Sequence, residues 1–170
     1  MPATDASPIF STAYYLISQH LETKVDLNCR ECLVAKMVDL SFALHTISGG
    51  STVSLFEGNL LGRSLFAVSI YPERSVELQE FPSRSQLWAF AMHNADLLTL
   101  RGHALGSWIR KENDRHVLDV VVCLPQLEDA IWLALMFSQE AIFDLRSELE
   151  IPTTRTLDIM GPESFALLSR

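Results

Sequence analysis

Two stretches of this chain follow nearly the same plan, and that repetition constrains its fold more than any other feature. Ser64-Leu65-Phe66-Ala67-Val68-Ser69-Ile70-Tyr71-Pro72 is a strand-like run closed by proline, and His116-Val117-Leu118-Asp119-Val120-Val121-Val122-Cys123-Leu124-Pro125 is another. Each follows a shorter apolar run and a turn. Each precedes a helical stretch with Trp and Met four residues apart, Trp88/Met92 in one copy and Trp132/Met136 in the other. Consecutive strands pair as hairpins without long crossovers, so two tandem β-β-α units predict an α+β fold: one antiparallel sheet with both helices packed on a single face. Residues 117–124 are apolar on both strand faces apart from Asp119, which places them at the sheet centre with cover on each side. The N-terminal helices are the natural cover for the second face, and a second subunit is the alternative.

The flanks read differently. Residues 1–8 read as a leader, and residues 9–21 show helical spacing through Phe10, Ala13, Tyr14, Ile17 and Leu21. Asp26 caps a second expected helix with apolar positions Leu33, Met37, Leu40, Leu44 and Ile47, which Gly49-Gly50 stops. The expected organisation is therefore an N-terminal helical hairpin over residues 1–48, an α+β core over 49–155 and a tail over 156–170.

Within the core the period changes to two. Thr52-Val53-Ser54-Leu55-Phe56, a turn through Gly58-Asn59 and Gly62, and residues 65–71 predict a β-hairpin. Ser83 with Gln86 three residues on is a capping-box pattern that opens a helix with a stripe of Leu87, Phe90, Ala91 and Leu98. Residues 105–110 turn through Glu112-Asn113-Asp114 into the second long strand, and Pro125 opens a helix with Glu128 and Asp129 in its first turn. Residues 141–145 predict a last strand, with 157–160 as a weaker candidate.

Composition excludes several classes. With 170 residues, 48% hydrophobic and 20% charged, the chain has the makeup of a globular domain. A net charge of −8 opposes nonspecific nucleic-acid binding, which draws on Lys and Arg neutralising phosphates. The densest apolar run, residues 130–137, falls far short of the ~20 residues that span a bilayer. The N-terminus has no basic stretch of the secretory kind, so a cytoplasmic location is expected. Three cysteines are too few and odd in number for a disulfide framework. Cys29-x-x-Cys32 has no second pair to complete a zinc site, so no metal or cofactor is expected.

Few residues suggest chemistry. Trp88, Met92, Trp132 and Met136 lie beside or opposite the core stripes of their helices; cover by the N-terminal helices is the simpler reading, and a partner or dimer surface, which Trp and Met suit, the functional one. Asp119 is an acid in an otherwise apolar strand and needs a hydrogen-bonding or charged partner, with Arg110 and His116 bordering the same hairpin. A structural ion pair is the simpler reading, and a ligand site at Arg110, His116 and Asp119 the functional one. Asn94 interrupts an apolar stripe, either bonding backbone or lining a pocket. His93 and Asp96 lie three apart on a helix, a spacing more often solvated than catalytic. Gly58-x-x-x-Gly62-Arg63-Ser64 lacks the spacing, the lysine and the strand-to-helix setting of a phosphate loop.

Several of these residues carry a resemblance. Residues 67–75 (Ala-Val-Ser-Ile-Tyr-Pro-Glu-Arg-Ser), Asn94-Ala95-Asp96-Leu97-Leu98, Gly106-x-Trp108, Leu118-Asp119-Val120 and Gln139-x-Ala141-Ile142-Phe143-Asp144-Leu145 resemble a group of small uncharacterised bacterial proteins of phages, plasmids and other mobile elements. The similarity spans roughly residues 49–153. Members often continue into a glycine-rich tail that Pro152-Thr153-Thr154-Arg155 lacks. The resemblance implies an accessory protein acting on a host or defence component, with no activity to carry over. The leading expectation is a non-catalytic protein-interaction module, binding another protein or forming a homodimer. A small-ligand or nucleotide-binding protein centred on Asp119 is the alternative, and an enzyme the third.

Overall fold

The computed structural model describes residues 30–154. Helix α1 (Arg30–Ser48) leads into β1 (Ser51–Ser54), β2 (Gly58–Asn59) and β3 (Phe66–Ser69). A 3-10 turn (Pro72–Arg74) and β4 (Val76–Leu78) follow, then α2 (Arg84–His93) and the short α3 (Ala95–Leu98). The long strands β5 (His103–Arg110) and β6 (Arg115–Leu124), helix α4 (Leu127–Met136), and β7 (Ala141–Asp144) with β8 (Leu149–Pro152) complete the described chain. The expected helix over residues 9–21 and the strand candidate at 157–160 lie outside the described residues.

All strand pairs are antiparallel, in the order β2-β1-β5-β6-β3-β7-β8, with β4 pairing β6 beyond the end of β3. This is an α+β fold with β6 at its centre. Successive β6 side chains alternate between faces. Leu118 and Val120 meet α1 and α2 together with Val53 and Leu105, whereas Val122 and Leu124 meet α4 together with Val68 and Ile142. All three long helices therefore lie on the face shared by the even-numbered β6 residues. The odd face is closed differently. Val121 and Cys123 pack with Ala67, Ala104, Leu60 and Leu145, because the sheet curls and the loop after β2 crosses this face. Gly62 N–H donates to Leu145 O at 2.7 Å and Leu145 N–H to Leu65 O at 3.0 Å, which ties that loop to the end of β7.

Three expectations change. The β1–β3 hairpin does not form: β1 pairs with β2 and β5, while β3 pairs with β6 and β7. The physical reason is the connection, whose Leu60, Leu61 and Leu65 cover the odd face and so carry β3 to the far side of β6. The tandem plan therefore describes only β5-β6-α4 as a contiguous unit. Helix α1 covers the same face as α2, and the other face is closed by curl.

The buried stripe of α1 is also rotated. Val34, Met37, Val38, Ser41 and His45 face inward, while Ile47 is 82% exposed. Ser41 and His45 can be buried because both find hydrogen-bond partners inside, which an apolar count does not register. Gly49, at φ 75°, ends α1 with its N–H on His45 O at 2.9 Å. The capping box of α2 forms as the sequence predicts, with Ser83 and Gln86 bonded reciprocally. Among the described residues no helix is long and apolar enough to cross a membrane.

Candidate functional site

Between β3 and β4 the chain leaves the sheet and returns to the same edge of β6. Val76 comes seven positions after Ser69, but their β6 partners, Leu118 and Val121, are only three positions apart, so four extra residues loop out. Pro72 sets the first turn of this excursion as a 3-10 turn. Three side chains pin it. Tyr71 Oη lies 2.9 Å from Nε2 of the buried His103. The Arg74 guanidinium donates to Asn94 Oδ1 at 3.3 Å and to Asp96 Oδ2 at 3.2 Å. The Ser75 hydroxyl donates to Asp119 Oδ1.

Asp119 is 4% exposed, and its second oxygen accepts from Trp108 Nε1 at 3.0 Å. Both carboxylate oxygens thus have internal donors, which a buried acid requires. Arg110 lies over the Trp108 ring, 5.6 Å from its centroid, and pairs with Glu77 at 2.7 Å. Arg110 therefore reaches the Asp119 cluster through Trp108. His116 does not reach it, because residues 116 and 119 point to opposite faces of β6. The expected trio of Arg110, His116 and Asp119 is accordingly divided between two faces, and Asp119 takes Ser75 and Trp108 as its partners.

The excursion frames a groove. Val76 and Leu78 of β4, Ala89 and Phe90 of α2 and Leu118 of β6 line an apolar cleft of about 280 Å³. Arg74, Gln86, His93 and Asn94 also line it. Asn94 is fully buried: its amide donates to Phe90 O at 2.9 Å while its carbonyl oxygen accepts from Arg74, so it bonds backbone and lines the cleft at once. Among the described residues no strand pairs with the outer edge of β4, which leaves part of its backbone available to a further strand. A second cavity of about 260 Å³ is lined in part by His103, Glu57, Arg101 and Cys123. Burial, then Glu57, pushes the Cys123 thiol up to about 12, so it stays protonated and unreactive at neutral pH.

No family model, curated protein or solved structure matches this chain.

A buried polar chain occupies the helix-covered face beyond the cleft. Ser41 Oγ and Ser51 Oγ are 2.7 Å apart, Ser51 Oγ and Ser107 Oγ 2.7 Å, and Ser107 Oγ and His45 Nδ1 2.8 Å. His45 Nε2 then meets His116 Nδ1 at 2.9 Å. Phe81 stands edge-on to both imidazoles, at 5.0 and 5.7 Å. Burial first, and His116 second, lower the pKa of His45 to about 4. None of these serines stood out in the sequence. For Ser41 and His45 the signal lies in the spacing Val34-x-x-Met37-x-x-x-Ser41-x-x-x-His45, which fits one helix face once serine and histidine are admitted to it.

The four Trp and Met positions have different settings. Trp88 is half-buried and packs against the α1/α2 core, whereas Met92 is exposed. Trp132 and Met136 are both half-buried on α4, next to the exposed Phe137. The cleft uses another face of the same α2 helix, through Gln86, Ala89, Phe90 and His93. Asp96 pairs with Arg74, and His93 is exposed.

Proposed function

We propose that this chain is a non-catalytic interaction module that binds an extended apolar segment of a partner protein along the free edge of β4, with one or two side chains seated in the β4–α2 cleft. The observation that carries this reading is the coincidence of a strand edge that no described strand pairs with and an apolar groove roofed by a helix. A strand added to a sheet edge gains affinity from main-chain hydrogen bonds, and an adjoining pocket reads alternate side chains. The cleft, about 280 Å³ and lined by Val76, Leu78, Ala89, Phe90 and Leu118, has room for apolar side chains. The polar candidates support it too. Asp119, Arg74, Asn94 and Arg110 are all bonded internally, so they hold the groove wall in place. A ligand site on Asp119 is disfavoured because Asp119 lines neither cavity. In line with the resemblance of residues 67–75 and their partners, the module acts in the cytoplasm as an accessory protein of a mobile element on a host or defence component.

The test is peptide selection against the full chain, with Ala89→Glu as a counter-screen. Ala89 is exposed on α2, so a glutamate there obstructs the cleft without entering the core. Enriched peptides are expected to be extended, with apolar residues at alternate positions, and to lose binding to Ala89→Glu while keeping it to Trp132→Ala. Selected peptides that bind Ala89→Glu unchanged would sink the proposal. Self-association that Ala89→Glu abolishes would identify the partner segment as one from a second copy.

A further inference from the structure

We infer that the His45–His116 contact is a proton-operated latch that holds the last turn of α1 on the sheet, tolerating one added proton on the imidazole pair and opening with the second. The chain Ser41–Ser51–Ser107–His45–His116 contains four polar contacts of 2.7 to 2.9 Å, and each requires one hydrogen between its two atoms. With both rings neutral, one consistent arrangement runs Ser41 to Ser51 to Ser107 to His45 Nδ1, and His45 Nε2–H donates to His116 Nδ1. One proton added to the pair is accommodated with a hydrogen on His116 Nδ1. His45 then shifts its own hydrogen to Nδ1, and every hydroxyl in the chain reverses direction. All four contacts survive.

A second proton removes that freedom. His45 Nε2 and His116 Nδ1 then both carry hydrogens and face each other at 2.9 Å, and no rotation of the serines relieves the clash. No described carboxylate is bonded to either ring to offset the double charge. Of the charged groups on the surrounding elements, Asp39 of α1 pairs with Arg84 of α2 and Glu77 of β4 with Arg110 of β5, Lys36 of α1 is exposed, and Arg115 of β6 points to the face opposite His116. Glu80, in the loop that carries Phe81, is exposed. The lowered pKa of His45, set by burial first and His116 second, agrees with a pair that resists its second proton. Opening separates α1 from Ser107 and His116 and frees Phe81, which holds its place by ring contacts with Phe42, His45 and His116.

Hydrogen exchange on the full chain, corrected for the intrinsic pH dependence of exchange, tests the latch. In the wild type, protection of residues 41–49 should fall at least tenfold as pH drops through about 4, while residues 127–136 of α4 keep theirs. In His116→Asn the asparagine oxygen accepts from a protonated His45, so protection of residues 41–49 should persist at that pH. Simultaneous loss in α1 and α4 of the wild type would mean ordinary acid unfolding and would overturn the latch, as would an unchanged midpoint in His116→Asn. Should that variant fold poorly at neutral pH, imidazole ¹⁵N shifts of the wild type decide. They should show a neutral His45 in the Nδ1–H form once the pair carries one proton; a neutral Nε2–H His45 at that stage would contradict the mechanism.

Discussion

Asp119 and His116 stand three residues apart on β6, on opposite faces, and their surroundings are built in opposite ways. Asp119 is met only by neutral donors, the Ser75 hydroxyl and the Trp108 indole, both aimed at its oxygens. Such an arrangement satisfies both carboxylate oxygens and holds the residue 71–75 excursion against β6. His116 is met by another imidazole, and their contact persists only while at least one of them is uncharged. Two polar clusters in one strand thus do different work: the odd-face one fixes the wall of the β4–α2 cleft, and the even-face one makes the seat of α1 depend on protons. Burial of a polar group does not by itself reveal which kind it is. The chemistry of its partner does.

The comparison is broken most forcefully at Asp119. Asp119→Ala leaves the Ser75 and Trp108 donors without their acceptor and should cost about 3 kcal/mol of unfolding free energy by urea titration. A cost below about 1 kcal/mol would show that water replaces the carboxylate freely. The next largest effect is acid sensitivity. His45 has a folded pKa of about 4 against an ordinary 6.5, so the unfolded chain binds the proton more readily. The stability it contributes is complete above pH 6.5 and declines as pH falls toward 4, reaching a loss of about 2 kcal/mol by pH 5. His45→Gln should flatten that part of the profile. Ser75→Ala removes one donor and keeps the Trp108 bond, so about 1 kcal/mol is expected in the same titration. Smallest is Arg110→Ala. Its pair with Glu77 is more than a third exposed on both sides, so a change under about 0.5 kcal/mol is expected, together with a shift in Trp108 fluorescence as the cation leaves the ring.

How far the sequence reveals this molecule depends on where each signal resides. The strands around Val68, Leu105 and Val120, the α2 capping box and the central place of β6 are local patterns of period and cap, and they appear in the fold much as residues 64–125 suggest. Pairing is not local. Nothing near Thr52 or Phe66 states that three leucines in their connection will cover the odd face of the sheet, so the expected hairpin opens into two separate edges. Strand β4 was invisible because Val76, Glu77 and Leu78 are too few for alternation to register. Asp119 stood out as an acid among valines, yet its partners lie 44 and 11 residues away in the chain, and Arg110 and His116 were nearer in sequence. His45 and Ser41 were hidden by type, since an apolar count passes over residues that are buried through hydrogen bonds.

The central claim, that the cleft beside β4 receives an extended partner segment, meets its most direct test in amide chemical shifts of the full chain titrated with a selected peptide. The proposal predicts shifts and slowed amide exchange concentrated at residues 76–78, with accompanying shifts at Ala89, Phe90 and His93. Shifts confined to Trp132, Met136 and the rest of α4, with β4 unmoved, would contradict it and return the binding surface to the second helix.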